Sequence, residues 1–96
     1  LPKAKEHQLL MNRVSDLRES DATIICDFAE RIRGLYKAEE ISSAVSTRMT
    51  LATARLVADG HPISDALLQV SLPFYPVQGG DDSERVMVKQ TIQSME

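Results

Sequence analysis

Apolar side chains return at three- and four-residue intervals along nearly the whole chain, the spacing that gives a helix one oily face. From about Lys3 to Leu17, Leu10, Val14 and Leu17 fall at i, i+4 and i+7 while Lys5, Arg13 and Asp16 turn away, predicting a first amphipathic helix. Ser20 suits the N-cap of a second helix, Asp21 its first turn, and Ile24, Phe28, Ile32 and Leu35 carry its stripe to about Tyr36. Lys37 to Val45 has two glutamates, two serines and scattered apolar residues, and reads as a connector with room for a short helical turn.

Ser46 caps a third helix through Met49, Ala52, Leu56 and Val57, with alanines at 52, 54 and 58 permitting close packing and Gly60 supplying a left-handed stop. After His61, Pro62 suits the first turn of a fourth helix, whose Ile63, Ala66, Leu67 and Val70 share one face until Pro73 disrupts the pattern. Pro73, Pro76, Gly79 and Gly80 mark a loop; Asp81 and Glu84 have the form of a capping box, and Val88, Ile92 and Met95 complete a fifth helix. No alternating run flanks a hairpin turn, so the fold class is all-α, a small bundle of about five short helices.

Composition narrows the class. Ninety-six residues, 43% apolar and 26% charged, suffice for one domain with a modest core. The chain starts at Leu1-Pro2 with neither an initiator methionine nor a leader pattern, and its natural start is expected upstream. No apolar run reaches membrane-spanning length, which predicts a soluble chain with no membrane partner. The net charge is −3 and the basic residues are scattered, which argues against nucleic acid as a partner. Cys26 is the single cysteine, so neither a disulfide nor a cysteine-based zinc site can form within the chain, and a reducing, cytoplasmic setting fits. With two Phe, two Tyr and no Trp, the core must be aliphatic.

Arg48 stands out because a cation in the first turn of a helix faces the positive end of the macrodipole, at a cost of about 0.5 kcal/mol. A bound anion compensates if the free N–H groups of the helix start and the guanidinium converge on one phosphate. The plain alternative is a solvated arginine or one paired with Glu39 or Glu40.

Ser46-Thr47-Arg48 opens a helix, preceded by Phe28-Ala29-Glu30-Arg31-Ile32-Arg33 and followed by Ala54-Arg55-Leu56-Val57-Ala58-Asp59-Gly60. This order resembles the C-terminal helical lid of MoxR-type AAA+ ATPases, a group that includes the cobaltochelatase ATPase subunit and nitric-oxide-reductase and Rubisco activase relatives. Leu1-Pro2 and the leucine-ending first helix are similar to the segment by which such a lid leaves its α/β domain. The resemblance implies that residues 1–96 are a lid cut from a longer ATPase. It assigns Arg48 as the sensor 2 arginine reaching the γ-phosphate, with Ser46 and Thr47 beside it in the cofactor-binding motif. It also implies ATP as cofactor, with Mg²⁺ held through the absent α/β domain of the same chain. The intact protein would form a homo-oligomeric ring, a hexamer, that couples hydrolysis to remodelling of a partner protein, with a von Willebrand factor A type protein as a companion.

The chain has no G-x-x-x-x-G-K-[ST] loop, no apolar strand ending in paired acids and no place for an inter-subunit arginine finger, so no hydrolysis is expected of it alone and no residue is assigned as catalytic. His7 and His61 are far apart and read as surface residues, not a metal pair. Cys26 reads as an inert packing residue, and Glu39-Glu40 and Asp81-Asp82 as solvated or capping acids. Arg55, seven residues after Arg48, is either an extension of a positive face or a solvated arginine. A lid should leave helix three and Arg48 open at one edge of the bundle, with an apolar patch where the α/β domain docks. The competing reading is a stand-alone helical interaction or regulatory module that binds no nucleotide.

Overall fold

A computed structural model describes residues 2–75 and 83–95. Its elements are α1 (Lys3–Arg13), α2 (Glu19–Lys37), α3 (Thr47–Ala58), α4 (Ile63–Ser71), a 3₁₀ turn (Leu72–Phe74) and α5 (Glu84–Ser94), with no strand among the described residues. The all-helical class and the five-helix order agree with the sequence pattern.

Helix α2 is the spine. One side packs with α1 and α3 around Leu10, Ile25 and Ala54, and the other closes a second cluster around Phe28, Ile32, Leu67, Val88 and Ile92 with α4 and α5. Ile63, at the start of α4, packs against both clusters. Aliphatic burial removes a large apolar area from water at roughly 25 cal/mol per Å², and it is this that holds short helices of ordinary propensity in place.

Several local expectations are revised. The first helix stops at Arg13, because Val14 turns to an extended conformation, yet Val14 and Leu17 remain buried as the stripe requires. Helix α2 starts one residue before Ser20, so Ser20 is helical, and the N-cap is Arg18, whose side chain makes no capping bond. Pro62 is the N-cap of α4 and lies just outside its first turn. The capping box on Asp81 is replaced: Asp81 lies outside the described residues, and α5 begins at Glu84 with Ser83 accepting from the Val86 amide at 3.2 Å. Pro76, Gly79, Gly80 and Asp82 also lie outside the described residues.

Two helices end in the same way. After α3, the Gly60 amide donates to Val57 and the His61 amide to Leu56, with Gly60 at φ +108°, which is the Schellman closure expected at that glycine. After α2, Glu39 donates to Tyr36 and Glu40 to Leu35, and Glu39 occupies the left-handed position at φ 62°. The connector that follows is irregular but not superficial. Ile41 and Val45 are buried in the second cluster, the Tyr75 hydroxyl donates to the Ser43 carbonyl at 3.1 Å, and Glu84 accepts from both the amide and the hydroxyl of Ser42.

Helix α3 buries one face and leaves Arg48 and Arg55 exposed. It packs on α1, α2 and α4, and its buried face is Met49, Thr50, Thr53 and Ala54 instead of Met49, Ala52, Leu56 and Val57. Threonines can take these positions because their hydroxyls bond backward within the helix, Thr53 to the Met49 carbonyl at 2.9 Å and Thr50 to that of Thr47 at 2.9 Å. No helix among the described residues is long and apolar enough to cross a membrane.

Candidate functional site

The connector delivers the chain to α3 at Ser46, whose extended backbone and short hydroxyl fit a helix start. Its Oγ accepts from the Met49 amide at 3.2 Å, while its carbonyl accepts from Met49 and Thr50 at 3.1 Å. The Thr47 and Arg48 amides, the next donors of the first turn, take no backbone or side-chain partner among the described residues. Arg48 is exposed, forms no salt bridge among the described residues and does not pair with Glu39 or Glu40. An exposed guanidinium and two N–H groups without a partner among the described residues thus belong to one helix start, where the dipole adds positive potential.

Beneath this turn is an arrangement that periodicity does not reveal. Glu6, on α1, is fully buried. Arg33, on α2, grips it with two parallel bonds, Nη1 to Oε1 at 2.7 Å and Nη2 to Oε2 at 2.9 Å. The third nitrogen of the same guanidinium, Nε, donates to the Val45 carbonyl at 3.0 Å, one residue before the cap. From α3, Thr50 Oγ1 lies 3.1 Å from Glu6 Oε2, and Thr47 Oγ1 makes a longer contact of 3.5 Å with the same oxygen. Burial pushes the Glu6 carboxyl up, but the bonds and charge of Arg33 and the Thr50 hydroxyl outweigh it and hold the group below its ordinary value. Arg33 is raised, first through its hydrogen bonds to Glu6. Arg33 is thus committed to the fold, whereas Arg48 remains available to an outside anion. The sequence did carry a signal: Glu6 stands four residues before Leu10, a charge placed on the apolar stripe.

The other candidates separate in space and character. Cys26 is buried, and desolvation lifts its thiol to about 11. His7 is half-buried with Nε2 at 3.3 Å from Thr23 Oγ1, and His61 is exposed after Gly60. Among the described residues no group of three or more His, Cys, Asp or Glu is placed to hold a metal. Arg55 is exposed on the last turn of α3 in a cleft of about 290 Å³ shared with Arg13, Asp16 and Asp59, so charges of both signs line it. The large apolar side chains that stand exposed among the described residues, Tyr36 and Phe74, are not on α3. A shallow apolar cleft of about 260 Å³ lies instead between α2, α4 and α5, lined by Ile24, Ile63, Leu67, Ile92 and Met95.

A family model described as CbbQ/NirQ/NorQ C-terminal matches residues 6–73. The chain belongs to the CbbQ/NirQ/NorQ C-terminal family. In this family it corresponds to a C-terminal domain of MoxR-type AAA+ ATPases, and its all-helical fold agrees with a lid of that kind. The matched segment of the CbbQ/NirQ/NorQ domain begins at Glu6 and takes in Arg33 and the whole Ser46–Arg48 turn, while α5 lies beyond it. No curated protein matches the chain. The family implies a parent ATPase that uses ATP with Mg²⁺. The residues of this CbbQ/NirQ/NorQ domain fit one part of that ligand: the start of α3 offers donors and positive charge to a phosphate.

Proposed function

We propose that residues 1–96 form the lid of a AAA+ ATPase and that Arg48 senses the γ-phosphate of ATP held by an α/β domain of the same chain. One observation supports this above the others: an exposed, unpaired arginine stands at a helix start whose Thr47 and Arg48 amides are also free among the described residues. Ser46 shapes the turn by capping it, and Thr47 faces inward toward Glu6, so the two play different parts in the motif. Bound ATP supplies the anhydride that is cleaved; the lid contributes positive charge and orientation.

In the intact protein the lid closes over the nucleotide in a hexameric ring and couples turnover to remodelling of a partner protein, with a von Willebrand factor A type protein as companion. The reading rests on the family and on the position of Arg48. Equilibrium binding of ATP and ADP to the full-length protein tests it. A charge-assisted bond to phosphate is worth about 1.5–3 kcal/mol. Arg48→Ala should therefore weaken ATP about tenfold or more while leaving ADP nearly unchanged, and equal affinity of wild type and variant for ATP would defeat the assignment.

A further inference from the structure

The Ser46–Arg48 turn is held from both ends by one ion pair. Arg33 Nε fixes the Val45 carbonyl at 3.0 Å, immediately before the turn. Glu6 Oε2 meets Thr50 Oγ1 at 3.1 Å, two residues after Arg48 and half a helical turn on. Between these anchors Thr47 points at the same carboxylate. The two anchors are joined to each other by the paired bonds of 2.7 and 2.9 Å between Arg33 and Glu6.

Stability alone does not account for such a device. A buried ion pair can often be replaced by apolar residues at no loss, because desolvation consumes much of the attraction. Direction is what it adds. All three guanidinium nitrogens of Arg33 are used, two on a carboxylate and one on a backbone carbonyl, and only a planar fork can serve both together. A lysine carries its three donors on one nitrogen and cannot lay two parallel bonds on the carboxylate while a separate nitrogen holds the carbonyl.

We propose that Arg33 and Glu6 are positioning residues for Arg48: they set the direction in which the first turn of α3 leaves the connector, and so where the Arg48 guanidinium stands over the nucleotide. This inference rests on the sensor reading of Arg48. Small misplacements of a group that meets phosphate are costly, since about 1 Å can remove about a hundredfold of rate.

Turnover by the full-length ATPase tests it, with kcat and KM for ATP measured for Arg33→Lys, Arg48→Ala and the double variant. Arg31→Lys is the control, because Arg31 is exposed on the same helix and bonds only to the Ser94 hydroxyl at 3.1 Å among the described residues. Arg33→Lys should lower kcat about tenfold in the wild-type background and have little further effect once Arg48 is alanine, while Arg31→Lys stays near wild type. Thr50→Val, which keeps the side chain's shape but removes the one hydroxyl that meets both Glu6 and the Thr47 carbonyl, should give a smaller loss of kcat with the same dependence on Arg48, and serves if Arg33→Lys fails to fold. If Arg48→Ala impairs turnover but Arg33→Lys and Thr50→Val cause the same fold loss with and without Arg48, or none at all, the positioning role is overturned and the sensor stands. If Arg48→Ala turns over normally, the sensor reading falls and this inference falls with it.

Discussion

Thr50 Oγ1 lies 3.1 Å from Oε2 of Glu6, so a hydroxyl on α3 shares the carboxylate that Arg33 neutralises from α2. Three helices thereby meet on one buried charge. Removing Arg33 leaves that charge without its partner, and Arg33→Ala should destabilise the domain by about 3 kcal/mol, read as a lower urea midpoint at unchanged slope. A change below about 0.5 kcal/mol would mean that the carboxylate finds water instead.

The same group makes stability depend on acid. Glu6 is held below its ordinary value of 4.5, so the folded state binds its proton less readily than the unfolded chain. The contribution is therefore complete above that value and is lost as pH falls below 4.5 through the depressed folded value. Urea midpoints measured from pH 7 down to pH 3 should drop for the wild type, and Glu6→Gln should flatten part of that drop. Parallel curves for the two proteins would exclude Glu6 as a contributor.

Glu39 and Gly60 hold equivalent positions in two Schellman closures, at φ 62° and φ +108°, but only one is glycine. A β-carbon in the left-handed region costs roughly 1–2 kcal/mol, part of which glycine returns as unfolded-state entropy. Glu39→Gly should raise stability by about 0.5–1 kcal/mol, a Tm gain of about 4 °C, whereas Gly60→Ala should lower it by about 1 kcal/mol. Opposite signs in the two melts are the diagnostic; a loss on Glu39→Gly would show that its side chain matters more than its backbone.

Cys26 is 1% exposed, and its thiol is pushed up to about 11 by burial first and by the Glu6 charge second. The native protein should resist a thiol reagent at pH 8 and react fully in urea, because the thiolate is the nucleophile. Stability should also fall as pH rises between 9.0 and about 11, where the unfolded thiol has ionised and the folded one has not. Stoichiometric labelling of the native protein within minutes would contradict both statements.

Much of the fold is written in the spacing of apolar residues. Leu10, Val14, Leu17, Phe28 and Ile32 are buried where the stripes put them, and Ser46 and Gly60 bound α3 as their chemistry demands. Periodicity failed where polar residues do the packing. Thr50 and Thr53 face inward because each satisfies its hydroxyl on a backbone carbonyl, a local option that a hydropathy pattern does not register. Glu6 is buried because a residue 27 positions away supplies the fork it needs, and no local rule pairs residues at that separation. Ile41 and Val45 reach the core from an irregular connector, where no repeat exists to detect. Arg48 was legible as an oddity, a cation in the first turn of its helix, and the fold leaves it exposed.

The most direct measurement is steady-state ATP hydrolysis by the full-length protein with Arg48→Ala, set beside Arg55→Ala as an exposed arginine from the same helix. Arg48→Ala should keep the melting temperature within about 2 °C of wild type and lower kcat about tenfold or more, while Arg55→Ala retains wild-type turnover. Unchanged turnover in Arg48→Ala, with folding intact, would contradict the assignment of this helix start as the sensor of bound ATP.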